Sequence, residues 1–195
     1  MTRALFASSV ASRETLCAAR LESVFADCFA RRYNTLLVGG SDEPFYHPAS
    51  TADEYSMLHY RGDYFASALH EVAHWCIAGE TRRQLPDFGY WYTPESRGAN
   101  EQRAFEAVEI KPQAIEWFFS KACASPFQVS ADNLDLERAG ALDRAGFRCA
   151  VLDQARALQA EGLSTRASIF YQALSNEFGT ADSISDRHFT LEELS

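Results

Sequence analysis

Two histidines four residues apart constrain this chain more than any other feature: His70 and His74 in the run His70-Glu71-Val72-Ala73-His74. On a helix, residues i and i+4 share one face, so the pair can offer two imidazole nitrogens to a single ion. Glu71 lies one step round the same helix. The plain alternative, two helix histidines that cap or fill a core, leaves that Glu without a task. The flanking residues suit a helix over residues 64–78. Arg61-Gly62-Asp63 supplies a turn before it, Asp63 or a neighbour can cap it, and Gly79 is a suitable C′ residue after it.

In zinc hydrolases with the H-E-x-x-H pattern the matching Glu works on a metal-bound water. Two histidines do not hold a metal tightly, so a third protein ligand is expected. The extended pattern H-E-x-x-H-x-x-G-x-x-H fails here, because Ile77 stands at its glycine and Glu80 at its last histidine. Glu80 can still reach the ion if the helix ends sharply at Gly79. The other common arrangement takes a Glu from a later helix, and the run 105–113 offers Glu106 and Glu109. On that helix Phe105, Val108, Ile115 and Phe119 form an apolar stripe, beside a polar stripe of Glu106, Glu109, Gln113 and Glu116. Glu116 reads as part of a solvated face. Glu109 sits among hydrophobic neighbours, with Gln113 one turn on to orient its carboxylate. Glu109 is therefore preferred as third ligand, and Glu106 stays open. Two His and one carboxylate leave coordination positions free, which implies catalysis. Zn(II) there suggests hydrolysis with Glu71 as base, whereas Fe(II) gives the facial triad of non-haem oxygenases. The H-E-x-x-H motif by itself leans to zinc.

Composition sets the outer bounds. At 195 residues the chain is expected to form one domain with a real core. Apolar content of 47%, with 14 Phe, 8 Tyr and 3 Trp, fits a globular fold. A formal charge of −9 argues against a nucleic-acid backbone or an anionic membrane as partner. It suits a cationic partner, although solubility alone is the commoner reason for such a charge. Five cysteines, odd in number and without a C-x-x-C, point to reduced thiols in the cytoplasm. Residues 1–13 lack the apolar core of a signal peptide, and no apolar run reaches a membrane span.

Hydrophobic periodicity predicts a helix over 14–33, a short strand over 35–38 closed by Gly39-Gly40, an ordered loop over 41–48 and a second strand over 55–60. A long helix over 101–122 contains Pro112, which implies a kink or break. Residues 127–133 read as loop or strand, 134–160 and 165–178 as helices, and the polar tail from Gly179 as partly loose.

Several stretches together resemble one family, the bacterial elongation factor P hydroxylases. They are Gly40-Ser41-Asp42-Glu43-Pro44 with Tyr46 and Pro48, and Tyr64-Phe65-Ala66-Ser67-Ala68 leading into His70 through Gly79. They continue with Arg82-Arg83, Asp87-Phe88-Gly89-Tyr90-Trp91-Tyr92 with Pro94, and Phe105-Glu106-x-Val108-Glu109-x-Lys111-Pro112-Gln113-Ala114 with Trp117. Pro126-Phe127 and Asp132-Asn133-Leu134 complete the set. The likeness is close over about residues 20–135 and loose beyond. One departure is Thr93, where the resemblance leads us to expect Cys.

The resemblance implies a non-haem iron monooxygenase that uses dioxygen to hydroxylate the β-lysylated lysine of elongation factor P. It implies a zincin-like site, with His70, His74 and a downstream Glu as iron ligands, and does not choose between Glu109 and Glu106. A β-lysylated lysine carries two ammonium groups, which need carboxylates and aromatic faces near the metal. Glu71, Asp87, the remaining one of Glu106 and Glu109, and the run Tyr90-Trp91-Tyr92 can supply them. Glu71 then anchors the amine or relays protons. Arg82 and Arg83 are expected to contact an acidic partner or to pair internally.

The expected fold is α+β, a mainly helical single domain over residues 1–195 with a small sheet. Its catalytic region spans about 35–135 and a helical C-terminal part spans 135–180. The rival function is a small zinc metallopeptidase, for which strand 55–60 with His59 would have to be an edge that aligns a substrate backbone.

Overall fold

Leu21, Val24, Phe25 and Phe29 recur three and four residues apart. In the computed structural model, which describes residues 16–89, 99–130, 144–180 and 184–194, they form the buried face of helix α1 (Ala18–Tyr33). Asn34 ends that helix in the left-handed region (φ 48°), which Asn tolerates. The chain then forms β1 (Thr35–Ser41), β2 (Phe45–His47) and β3 (Ser56–Arg61). β3 is central, parallel to β1 with Thr35 opposite Ser56, and antiparallel to β2 with Tyr46 opposite Leu58. Along β3, Ser56, Leu58 and Tyr60 are buried at the period of two that puts alternate side chains on one face.

Two expectations change here. β1 does not close at the glycines but runs on to Ser41 across a register shift. Gly39 is needed there for space, because a Cβ would lie 2.5 Å from the Tyr60 hydroxyl. That hydroxyl and the Gly39 amide both donate to Glu22 Oε1, at 2.8 and 2.9 Å. The segment expected as pure loop contains β2, whose three residues are too few to show a period.

Helix α2 (Phe65–Ile77) carries both histidines of the motif. Its ends differ from expectation. No side chain caps its start, and Gly79 is not in the left-handed region. The last carbonyls are instead taken by arginines. Arg166 Nη2 donates to Trp75 O at 3.0 Å, to Cys76 O at 3.1 Å and to Ala78 O, and Arg83 Nη1 donates to Ala78 O at 2.7 Å. Cations suit this negative end of the helix dipole.

Short 3₁₀ turns at Arg82–Gln84 and Pro86–Gly89 follow. Helix α3 (Ala99–Ala122) runs through Pro112 as one element, so of the expected kink or break the break does not occur. Residues 125–130 are irregular, which answers the loop-or-strand alternative as far as Ser130. Helices α4 (Arg144–Glu161) and α5 (Thr165–Phe178) come next, and the first ten residues of the expected 134–160 helix lie outside the described part. α3 packs against α2, α4 and α5, and α1 against β1 and α5. One buried cluster draws on the five described helices, the sheet and the turn Leu191–Leu194, consistent with the expected α+β, mainly helical single domain. The tail is not wholly loose: Phe189 packs 4.7 Å from the Trp117 ring and 4.4 Å from Phe118 between centroids, and Leu194 is buried. No helix among the described residues is long and apolar enough to cross a membrane.

Candidate metal centre

The 3.6-residue turn places His70 and His74 on the face of α2 that looks at α3, while Leu69, Val72, Trp75 and Cys76 are buried in the core. α3 meets them with polar side chains. Gln102, Glu109, Gln113, Glu116 and Ser120 recur seven, four, three and four residues apart, and all are buried. From Glu109 on, the polar stripe of this helix is thus buried as fully as the apolar residues Ile115 and Phe119 beside it. Val108, expected in its apolar stripe, is 38% exposed, and Glu116, expected in solvent, is 7% exposed.

The two helices bring three ligand side chains together, two imidazoles and a carboxylate. His70 Nε2 lies 3.1 Å from His74 Nε2 and 3.4 Å from Glu109 Oε2, and His74 Nε2 lies 3.1 Å from Glu109 Oε1. An ion about 2.1 Å from each donor needs donor–donor edges of about 3.0 Å at right angles and about 3.4 Å at the tetrahedral angle. The observed distances, which run from the two histidines to different oxygens of Glu109, fall in that interval, so the residues fit a metal held by both imidazoles and the carboxylate. Among the described residues these three form the group of His, Cys, Asp and Glu side chains that can hold an ion. Glu106 is not in the group; it is half-buried and accepts a hydrogen bond from Gln102 Nε2 at 3.0 Å. Glu80 is exposed just past α2.

Other side chains steady the cluster. Gln113 Nε2 reaches Glu109 Oε2 at 3.4 Å, and its amide is itself held by the Ser130 backbone, donating to Ser130 O at 2.6 Å and accepting from Ser130 N at 3.0 Å. On the far side of the His70 ring, Nδ1 lies 2.8 Å from Glu116 Oε2. Periodicity put Glu116 in the polar stripe, but its reading as part of a solvated face is overturned, since it is buried against His70. Its signal was its place seven residues after Glu109, two turns on and on the same face.

The charges are strongly coupled. Burial alone would lower the His70 pKa, but the hydrogen bond to Glu116 and the charges of Glu109, Glu116 and Glu71 lift it to about 10 in the metal-free protein. Burial would raise Glu109, yet His74 and His70 hold it down at about 2. Glu71 is pushed up by burial and by Glu109 and Asp87, with the two histidines opposing. Asp87 is raised by burial and lowered in part by the Tyr46 amide, which donates to its Oδ1 at 2.8 Å.

Arg82 Nε donates to Phe88 O at 2.9 Å and Arg83 to Ala78 O, so both turn toward backbone carbonyls. The run Tyr90-Trp91-Tyr92 and Thr93 lie outside the described residues. β3, the strand a peptidase would use as an open edge, is paired on both sides.

The profile of the family described as elongation factor P hydroxylase matches residues 24–189. The elongation factor P lysine hydroxylase of Haemophilus influenzae is 43% identical over 162 residues, covering 83% of this chain and 89% of that protein.

Proposed function

The chain belongs to the elongation factor P hydroxylase family, and from that premise we propose that it hydroxylates a lysine side chain of elongation factor P at the His70–His74–Glu109 centre. The observation that carries this is the convergence of three side chains from α2 and α3, with ligand atoms 3.1 to 3.4 Å apart. His70, His74 and Glu109 are assigned as ligands of iron(II). Bound there with coordination positions left free, iron(II) supplies the activation of dioxygen that hydroxylation requires. The layout, two histidines one turn apart and a carboxylate from a later helix, supports a zincin-like description of the site.

The remaining residues bind and orient. Gln113 keeps the Glu109 carboxylate turned toward the histidines. Glu71, next to His70 in the chain and raised in pKa, is placed to hold an ammonium group or to take and return a proton at its carboxyl. Asp87 is close enough to Glu71 for their charges to interact, which gives a second carboxylate for a substrate with two ammonium groups. That pairing suits a β-lysylated lysine better than an unmodified one. On this reading residues 1–195 act as one hydroxylase domain in the cytoplasm, with the chemistry in about 35–135. The net charge of −9 favours neither nucleic acid nor membrane as partner. The peptidase alternative loses its edge strand and finds no support among the relatives.

Mass spectrometry tests the proposal. Elongation factor P carrying β-lysyl-lysine, incubated with the iron-loaded protein under oxygen, gains one oxygen atom on the modified lysine. No gain, together with cleavage of a peptide library by the zinc form, would overturn it. Glu71→Gln lowers turnover while iron stays bound; full turnover with iron retained removes Glu71 from the scheme.

A further inference from the structure

We propose that Glu116 is the positioning residue that decides which nitrogen of His70 faces the metal. The inference rests on the reading of His70, His74 and Glu109 as a metal centre. A neutral imidazole carries its hydrogen on one nitrogen and can ligate only through the other. In His70 the two nitrogens have different neighbours. Nε2 looks at His74 Nε2 (3.1 Å) and Glu109 Oε2 (3.4 Å), whereas Nδ1 is 2.8 Å from Glu116 Oε2. An ionised carboxylate only accepts, so Nδ1 must donate, and the Nε2 lone pair is left for the ion.

The placement comes from one helix. Glu116 follows Glu109 by two turns of α3, so the element that delivers the carboxylate ligand also sets the tautomer of a histidine ligand on α2. At 7% exposure Glu116 has little competition from water for this bond. His70 is the more exposed of the two histidines, 27% against 10% for the side chains, and a freer ring gains more from being pinned.

Cobalt(II) titration of the full-length protein, read by affinity and by the visible spectrum, tests this. Glu116→Leu and Glu116→Ala remove the acceptor, and we expect both to bind Co(II) about 10–100-fold more weakly. Their spectra shift, while the circular dichroism and melting midpoint of the metal-free forms stay near wild type. Glu116→Gln keeps an oxygen that can accept from Nδ1–H and recovers most of the affinity; a purely structural role would not show this rescue. Wild-type affinity and spectrum in either acceptor-free variant overturn the proposal.

A second measurement needs no variant. Long-range ¹H–¹⁵N NMR of the Zn(II)-loaded wild type is expected to show His70 protonated at Nδ1, and metal on Nδ1 contradicts the proposal. The two levels separate cleanly. If wild type binds Co(II), His70→Ala does not, and Glu116→Leu matches wild type, Glu116 alone loses its role. If wild type binds neither Co(II) nor Zn(II), the metal centre itself falls and the inference with it.

Discussion

A single side chain, His70, shows how much the site depends on competition between a proton and a metal. In the metal-free protein its pKa stands at about 10 against an ordinary 6.5. A raised value means that its contribution to stability is complete below about pH 6.5 and is lost as pH climbs through about 10. Glu109, at about 2 against 4.5, contributes above about pH 4.5 and loses that contribution as pH falls through about 2. The metal-free pair is therefore at its most favourable between those limits. A metal must displace the His70 proton, so Co(II) affinity should rise by about tenfold per pH unit between pH 6 and 8, with one proton released. Calorimetry in buffers of different ionisation heat checks this, and pH-independent binding contradicts it. At this scale the sequence was most informative where spacing carries geometry. His70 and His74 could be read because i and i+4 have one outcome on a helix. Glu109 against Glu106 could not be settled, because three residues of separation leave both on neighbouring faces until α3 docks. Glu116 was hidden for a related reason: a polar stripe facing histidines and a polar stripe facing water have the same pattern.

Helix α2 shows what local reading does and does not reach. Its body follows from the motif and the apolar residues around it. Its end does not, because its last carbonyls are satisfied mainly by Arg166, 88 residues from Ala78, with Arg83 adding a bond to Ala78 O. No cap residue near Gly79 encodes that contact. Arg166 also stacks 4.8 Å over the Trp75 ring, which ties α5 to the helix that holds the histidines. Arg166→Ala should cost about 2–4 kcal/mol in urea denaturation, since it strips charged donors from three carbonyls at once. It should also weaken Co(II) binding, because His74 lies in the turn that would fray. A loss below about 0.5 kcal/mol would show that the carbonyls find other partners. Helix α5, in contrast, was legible to the residue. Its periodicity is local, and so is its end, where Gly179 adopts the left-handed region (φ 70°). The strands fall between these cases. β1 and β3 could be read from short β-like runs bounded by turn residues, but the central place of β3 depends on pairing with β2, which is too short to declare itself.

Across the whole molecule, one core joins the first helix to the last turn, and the site lies where α2 and α3 face each other over it. Composition foretold a real core, and the periodicity of the segments a mainly helical fold with a small sheet. Neither foretold that the polar tail would return to cover Trp117 and Phe118 through Phe189. Phe189 is an isolated apolar residue in a charged stretch, so it has no periodicity to reveal it. Phe189→Ala should cost about 3–4 kcal/mol, as expected for emptying a buried aromatic site. Thermal unfolding measures this, and an unchanged midpoint would mean that the tail is not part of the cooperative unit. The central claim concerns what the assembled centre does. It is tested most directly by loading wild type, Glu109→Ala and Glu106→Ala with iron, then measuring bound iron and oxygen gain on elongation factor P in the same samples. The account predicts that Glu109→Ala loses both while Glu106→Ala keeps its iron. Stoichiometric iron and full oxygen gain in Glu109→Ala would contradict it.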